Sequence, residues 1–110
     1  MKDLYWLAGL IEGEGCFSWK HRRKGNAYPL INLKMNDLDI VQRAHKIFGC
    51  GCISKGGNNY GMSKDSHQLQ IVGQAAIDWM VCLYPMMGKR RKIRILEVFN
   101  ESKFRGMRRP

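Results

Sequence analysis

The chain has 110 residues, of which 45% are apolar, 25% charged and 10% aromatic, and 19 Lys+Arg against 9 Asp+Glu give it a net charge of +10. That balance is typical of a globular domain, and without a Gly/Pro/Ser-rich linker residues 1–110 read as a single domain near the usual ~100–150 residues. No stretch approaches the ~18 consecutive apolar residues of a membrane span, and the charge favours polyanionic partners, nucleic acid ahead of an anionic membrane surface.

Residues 4–14 read as a helix, with Asp3 as N-cap, Leu4, Leu7, Leu10 and Ile11 on one stripe, and Gly15 as the stop. Gly9 and Gly13 lie one turn apart in it. Each interior glycine costs ~1 kcal/mol against alanine, so close approach of another backbone is expected there. From Cys16 the period becomes two, with Phe17 and Trp19 alternating with Ser18, Lys20 and Arg22. A turn at Gly25-Asn26 leads to a strand from Tyr28 to Met35. Ile31, Leu33 and Met35 face the core there, opposite Tyr28, Leu30, Asn32 and Lys34, with Leu30 the exception on an otherwise polar face.

Asn36 or Asp37 starts a second helix with Leu38, Val41, Ala44, Ile47 and Phe48 inward, stopped at Gly49. A third strand spans Cys50 to Lys55, a Gly-rich loop follows at 56–61, and a fourth strand runs from about Ser66 to Val72. A third helix from about Gln74 to Tyr84 presents Ile77, Met80, Val81 and Tyr84. Pro85 breaks it, and Gly88 precedes a basic fourth helix carrying Ile93, Leu96 and Phe99. The order αββαββα plus a basic C-terminal helix predicts an α+β fold, a four-stranded antiparallel sheet with helices on one face. The tail from about residue 103 is equally compatible with a disordered segment.

Glu12 and Glu14 interrupt the first apolar run before any small-residue cleavage site, so no secretory pattern is present and an intracellular protein is expected. Cys16, Cys50, Cys52 and Cys82 then read as reduced, buried small hydrophobes. Cys50 and Cys52 with Cys16, Cys82 or His45 fit no usual zinc spacing.

The segment Leu7-Ala8-Gly9-Leu10-Ile11-Glu12-Gly13-Glu14-Gly15 resembles the LAGLIDADG signature of homing endonucleases. Glu replaces Asp at the sixth and eighth positions and Gly replaces Ala at the seventh. The resemblance implies a saddle-shaped sheet and two such helices packed side by side at the centre of the active unit. One copy of the motif implies a homodimer through Leu7, Gly9, Leu10 and Gly13, acting on double-stranded DNA with a palindromic or near-palindromic site. Glu14 would be the catalytic carboxylate and ligand of Mg²⁺ or Mn²⁺, whose preference for oxygen donors suits a carboxylate and phosphates. Glu12 is divided between a role in that chemistry and a structural one. The resemblance also assigns Asp37 or Asn36 to positioning the attacking water, and Arg90, then Lys89, to facing the scissile phosphate.

For the DNA, alternation nominates Ser18, Lys20, Arg22, Tyr28, Asn32 and Lys34 from the first hairpin, and Ser54, Gln68 and Gln70 from the second, to meet base edges in the major groove. Arg23, Lys24, Lys55 and the tail arginines Arg105, Arg108 and Arg109 are assigned to phosphates. The alternative on the same scaffold is a non-cleaving DNA- or RNA-binding protein, an intron maturase or a regulator.

Overall fold

A computed structural model describes residues 2–21, 27–55 and 66–104. Its elements are α1 (Lys2–Glu14), β1 (Gly15–His21), β2 (Ala27–Met35), α2 (Leu38–Phe48), β3 (Cys52–Lys55), β4 (His67–Val72), α3 (Gln74–Leu83), a 3-10 turn (Tyr84–Met86) and α4 (Lys89–Phe104). The strands form one antiparallel sheet in the order β1-β2-β4-β3. The turn at Gly25-Asn26, the loop at 56–61 and the tail arginines lie outside the described residues.

Period-two alternation divides the sheet into two faces. Phe17, Ile31, Leu33, Leu69 and Ile71 point inward and are essentially fully buried, packed with Leu7 and Ile11 of α1, Val41 and Ala44 of α2, Met80 and Leu83 of α3, and Ile95 and Val98 of α4. All four helices therefore cover one face, and the other is left open.

The passage from α1 into β1 has no connecting loop, since Glu14 ends the helix and Gly15 starts the strand. A Cβ at Gly15 would lie 2.8 Å from Ile11 Cγ2. Glycine is needed there for proximity, so that the strand can leave against the helix it has just ended. α1 starts before Leu4, which puts Asp3 inside the first turn, where its charge favours the helix dipole, rather than at the cap.

Four apolar residues expected to face inward are exposed instead. Leu38 and Val81 are exposed, and the buried face of α3 is Ala76, Met80 and Leu83. On α4, Ile93 and Leu96 are about half exposed while Ile95 and Val98 enter the core. Apolar residues at 93, 95, 96, 98 and 99 span more than one helical face. Periodicity therefore offers two stripes, and packing against β1 selects one. The third strand begins at Cys52 because Gly51 has φ +97°, and a Cβ there would come within 2.7 Å of the Gln70 carbonyl oxygen.

The cysteines are free, but they are not buried. Cys16, Cys52 and Cys82 are exposed and Cys50 is half-buried. Cys16 and Cys52 take outward positions on the two edge strands of the sheet, β1 and β3.

Candidate nucleic-acid interface and catalytic centre

The register gathers the outward residues into cross-strand rows. Lys34, Gln68 and Ser54 form one row; Cys16, Asn32, Gln70 and Cys52 the next; Ser18, Leu30 and Val72 a third; Lys20 and Tyr28 the fourth. Rows of Lys, Asn, Gln and Ser along a sheet offer donors and acceptors spaced as a strand spaces them. Asn32 Oδ1 is buried and has no hydrogen-bond partner among the described residues, an acceptor that folding leaves unsatisfied at the middle of this face. Lys55 does not share the face: it pairs with His67 and has the inward parity of Ile53, at the end of β3. Arg22, Arg23 and Lys24 lie outside the described residues.

At the other end of β1 stands the C-terminus of α1. Glu14 is exposed, and its side chain makes no ion pair or hydrogen bond among the described residues. The last carbonyls of a helix carry the negative end of its dipole, so a carboxylate at this point sits in a field that attracts cations. One exposed carboxylate with neighbouring carbonyl oxygens fits a hard divalent ion as part of a donor set. No cluster of three or more His, Cys, Asp or Glu that could complete that set occurs among the described residues.

Glu12 faces a different way. Its Oε1 accepts a 2.8 Å hydrogen bond from the Gly88 backbone N–H, just ahead of α4. Its backbone carbonyl accepts another from Arg91 Nε at 2.8 Å. One turn further on, Arg94 Nε donates to the Phe17 carbonyl oxygen at 2.9 Å and pairs with Glu97. A Cβ at Gly88 would lie 3.1 Å from Glu12 Oε2, a tight contact that the carboxylate would have to relieve by a small shift. α4 opens on Lys89, Arg90, Arg91 and Lys92 with no acid of its own in its first turn. That is an unfavourable arrangement at the positive end of a helix dipole, and Glu12 supplies the missing anion from α1.

The same clamp brings the basic turn against β1. Cys16, Phe17, Arg90, Arg91 and Arg94 line an open cleft of about 280 Å³. Three guanidinium groups beside a strand give this cleft a positive lining, in which Arg91 and Arg94 already spend their Nε donors on the Glu12 and Phe17 carbonyl oxygens. Arg90 lines this cleft; Lys89 is exposed beside it. Asn36 and Asp37 are exposed at the junction of β2 and α2. Asp37 holds the N-cap position with extended backbone, but its side chain makes no capping hydrogen bond among the described residues.

The residues nominated for a helix-to-helix contact divide between two faces of α1. Leu7 is 0% exposed within the protomer's own core, so it offers no surface to a partner. Leu10 is half-buried, packed against that core. Gly9 and Gly13 are exposed, and a Cβ at either would meet nothing within 4 Å among the described residues. Tyr5, 62% exposed and one turn before Gly9, continues their row. The i, i+4, i+8 spacing of 5, 9 and 13 could have identified it. The Gly88 and Arg91 contacts with Glu12 join residues over seventy positions apart, and nothing local in the sequence signals them.

Among curated proteins none matches this chain. Among solved structures, the homing endonuclease I-TnaI is similar with a TM-score of 0.70 at 18% identity, over 94% of this chain and 76% of that one. The homing endonuclease I-CvuI, solved in complex with its target, is similar with a TM-score of 0.68 at 21% identity, over 88% of this chain and 64% of that one. The group I intron-encoded I-CeuI, complexed with DNA, gives a TM-score of 0.63 at 21% identity, over 94% of this chain and 58% of that one. The chain thus spans less than two thirds of I-CvuI and of I-CeuI, and at these identities the likeness is one of fold. The family model for LAGLIDADG endonucleases matches residues 7–76, more than half of the chain, beginning at the first residue of the glycine-bearing segment. The chain belongs to the LAGLIDADG endonuclease family.

Proposed function

We propose that this chain is one half of a site-specific double-strand DNA endonuclease. Two copies, related by a twofold axis and joined through α1, hydrolyse one phosphodiester on each strand of a palindromic or near-palindromic target with Mg²⁺ or Mn²⁺. One observation carries the reading: the open row of Gly9 and Gly13 lies on the same helix whose last residue is the exposed Glu14. A symmetric contact along that row brings two Glu14 carboxylates together, and a single chain supplies only one.

The paired Glu14 carboxylates would hold the divalent ion, which when bound supplies a more acidic water and stabilises the leaving 3′ oxygen. Arg90, with Lys89 beside it, draws the scissile phosphate toward the cleft and offsets charge on the phosphorane. Asp37 or Asn36 orients the attacking water through a hydrogen bond. The outward rows of Asn32, Lys34, Gln68, Gln70, Ser18 and Lys20 read base edges in the major groove. Contacts to phosphates fix register and contribute most of the salt dependence. No described helix is long and apolar enough to cross a membrane, and the reading needs no lipid surface.

The test is incubation of the purified protein with a plasmid library and Mg²⁺, beside Glu14→Gln. The expected result is a double-strand break at one recovered sequence, lost in the variant with DNA binding retained. Equal cutting by both proteins overturns the assignment of Glu14. Sequence-specific binding by the native protein with no cutting overturns the endonuclease reading in favour of a maturase or regulator on the same scaffold.

A further inference from the structure

The outward face of the sheet is aliphatic at only one step among the described residues. Leu30 of β2 and Val72 of β4 are registered partners there. Their neighbouring rows carry Asn32 with Gln70 on one side and Lys20 with Tyr28 on the other. Leu30 is 6% exposed and Val72 47% exposed, so the leucine is buried on this face while the valine beside it is open to solvent. The Gly73 N–H donates to the Pro29 carbonyl oxygen at 3.1 Å, which ties the end of β4 to β2 directly after Val72. A β-branched side chain on a pinned strand has little rotamer freedom, so it presents a fixed apolar shape to whatever meets this face.

We propose that Val72 is a specificity-determining residue that packs against the C5-methyl group of a pyrimidine in the major groove. The inference rests on the reading of this face as a DNA-binding surface. In that groove the base edges display donors, acceptors and one apolar group, the 5-methyl of thymine; 5-methylcytosine carries the same group at the same place. An aliphatic knob between an amide row and a cationic row matches a methyl-bearing base flanked by hydrogen-bonding edges and phosphates. A protein partner would have to cover Lys20, Lys34 and the unsatisfied Asn32 as well, at the desolvation cost of each.

The experiment begins with enrichment of bound duplexes from a random-sequence library by the full chain. Each thymine of the enriched site is then replaced singly by deoxyuridine, and each cytosine by 5-methylcytosine, with Kd measured at one salt concentration. One methyl group accounts for about a fourfold change in Kd, taking ~0.8 kcal/mol per buried CH₂-sized group. A thymine whose replacement weakens binding about fourfold identifies thymine as the source of the methyl; a cytosine whose methylation tightens binding by that factor identifies 5-methylcytosine. Either supports the proposal if Val72→Thr, which keeps the branched shape, erases the difference while leaving binding to the unmethylated site within twofold. An enriched site with no methyl-sensitive position, or a sensitivity that survives in Val72→Thr, overturns the proposal and leaves DNA binding standing. Failure to enrich any sequence overturns the DNA reading and the methyl contact together.

Discussion

The two faces of α1 answer to different demands. Its inner stripe of Leu7, Ala8 and Ile11 is buried to 6% exposure or less and joins the core beneath the sheet. Its outer row of Tyr5, Gly9 and Gly13 has an exposed aromatic ring and two glycines where an added Cβ would meet no other part of the described chain within 4 Å. Packing within the chain accounts for the first face but not for the glycines of the second, because each helical glycine costs ~1 kcal/mol against alanine and no contact among the described residues offsets it. A helix that gives up stability on one face is shaped for something that face meets later. Glu14, at the end of this helix, is placed by the inner face and would be completed through the outer one.

The sharpest separation of the two faces comes at that shared residue. Glu14→Gln keeps the side chain's shape and has no partner to lose among the described residues, so the melting temperature should stay within about a degree of the parent. Cleavage should fall by roughly 10³-fold, the scale of removing one group that stabilises charge in a transition state. Thermal melts beside single-turnover cleavage check the pair of effects. A large loss of Tm would mean that Glu14 belongs to the folding demand after all.

Ile11→Ala probes the inner face alone. It removes a fully buried side chain from beneath Gly15 and should cost about 2–5 kcal/mol by urea denaturation. Folded molecules of this variant should cleave at the native rate, so activity should track the folded fraction. An activity loss beyond that fraction would show that the inner face also tunes the site.

Glu12 stands between the two demands, since it ties α1 to the basic turn of α4 rather than to the core or to a second copy. Glu12→Leu removes the acceptor for Gly88 N–H and the anion at the start of α4. For an exposed, screened interaction the expected loss is ~1 kcal/mol. Displacement of Arg90 from the cleft should lower the cleavage rate more than it weakens DNA binding. Glu12→Gln, which retains the oxygen acceptor, should recover most of that rate. Equal rates for the leucine and glutamine variants would show that the clamp does not position the phosphate-facing turn.

How far such distinctions are legible in the sequence depends on the range of the interaction involved. The parity of β1, β2 and β4 is readable because a half-covered sheet imposes period two residue by residue, and Phe17, Ile31, Leu33 and Leu69 report it without outside information. The placement of Glu14 follows from the glycine-bearing segment. The inward stripe of α4 is not readable, because several apolar residues crowd its middle and only contact with β1 chooses Ile95 and Val98 over Ile93 and Leu96. Leu7 shows the same limit: within one helix, apolar character marks a buried residue but not which body buries it. The order β1-β2-β4-β3 and the Glu12 clamp arise from long-range pairing that no local pattern encodes.

The smallest effect is the most direct test of the outer face, because its sign should change with the state of association. In the single chain, Gly13→Ala adds a Cβ into open space and removes the backbone entropy penalty of glycine, so it should stabilise the protomer by about 0.5–1 kcal/mol. In a pair packed backbone to backbone along this row, the same methyl would push the helices apart. Dimer formation, followed by sedimentation at a range of concentrations, should weaken while the melting temperature of dilute protein rises by a few degrees, at about 4–8 °C per kcal/mol for a domain of this size. Association and monomer stability rising together would show that the glycines were not kept for a second copy of α1, and the paired Glu14 carboxylates would lose the contact that assembles them.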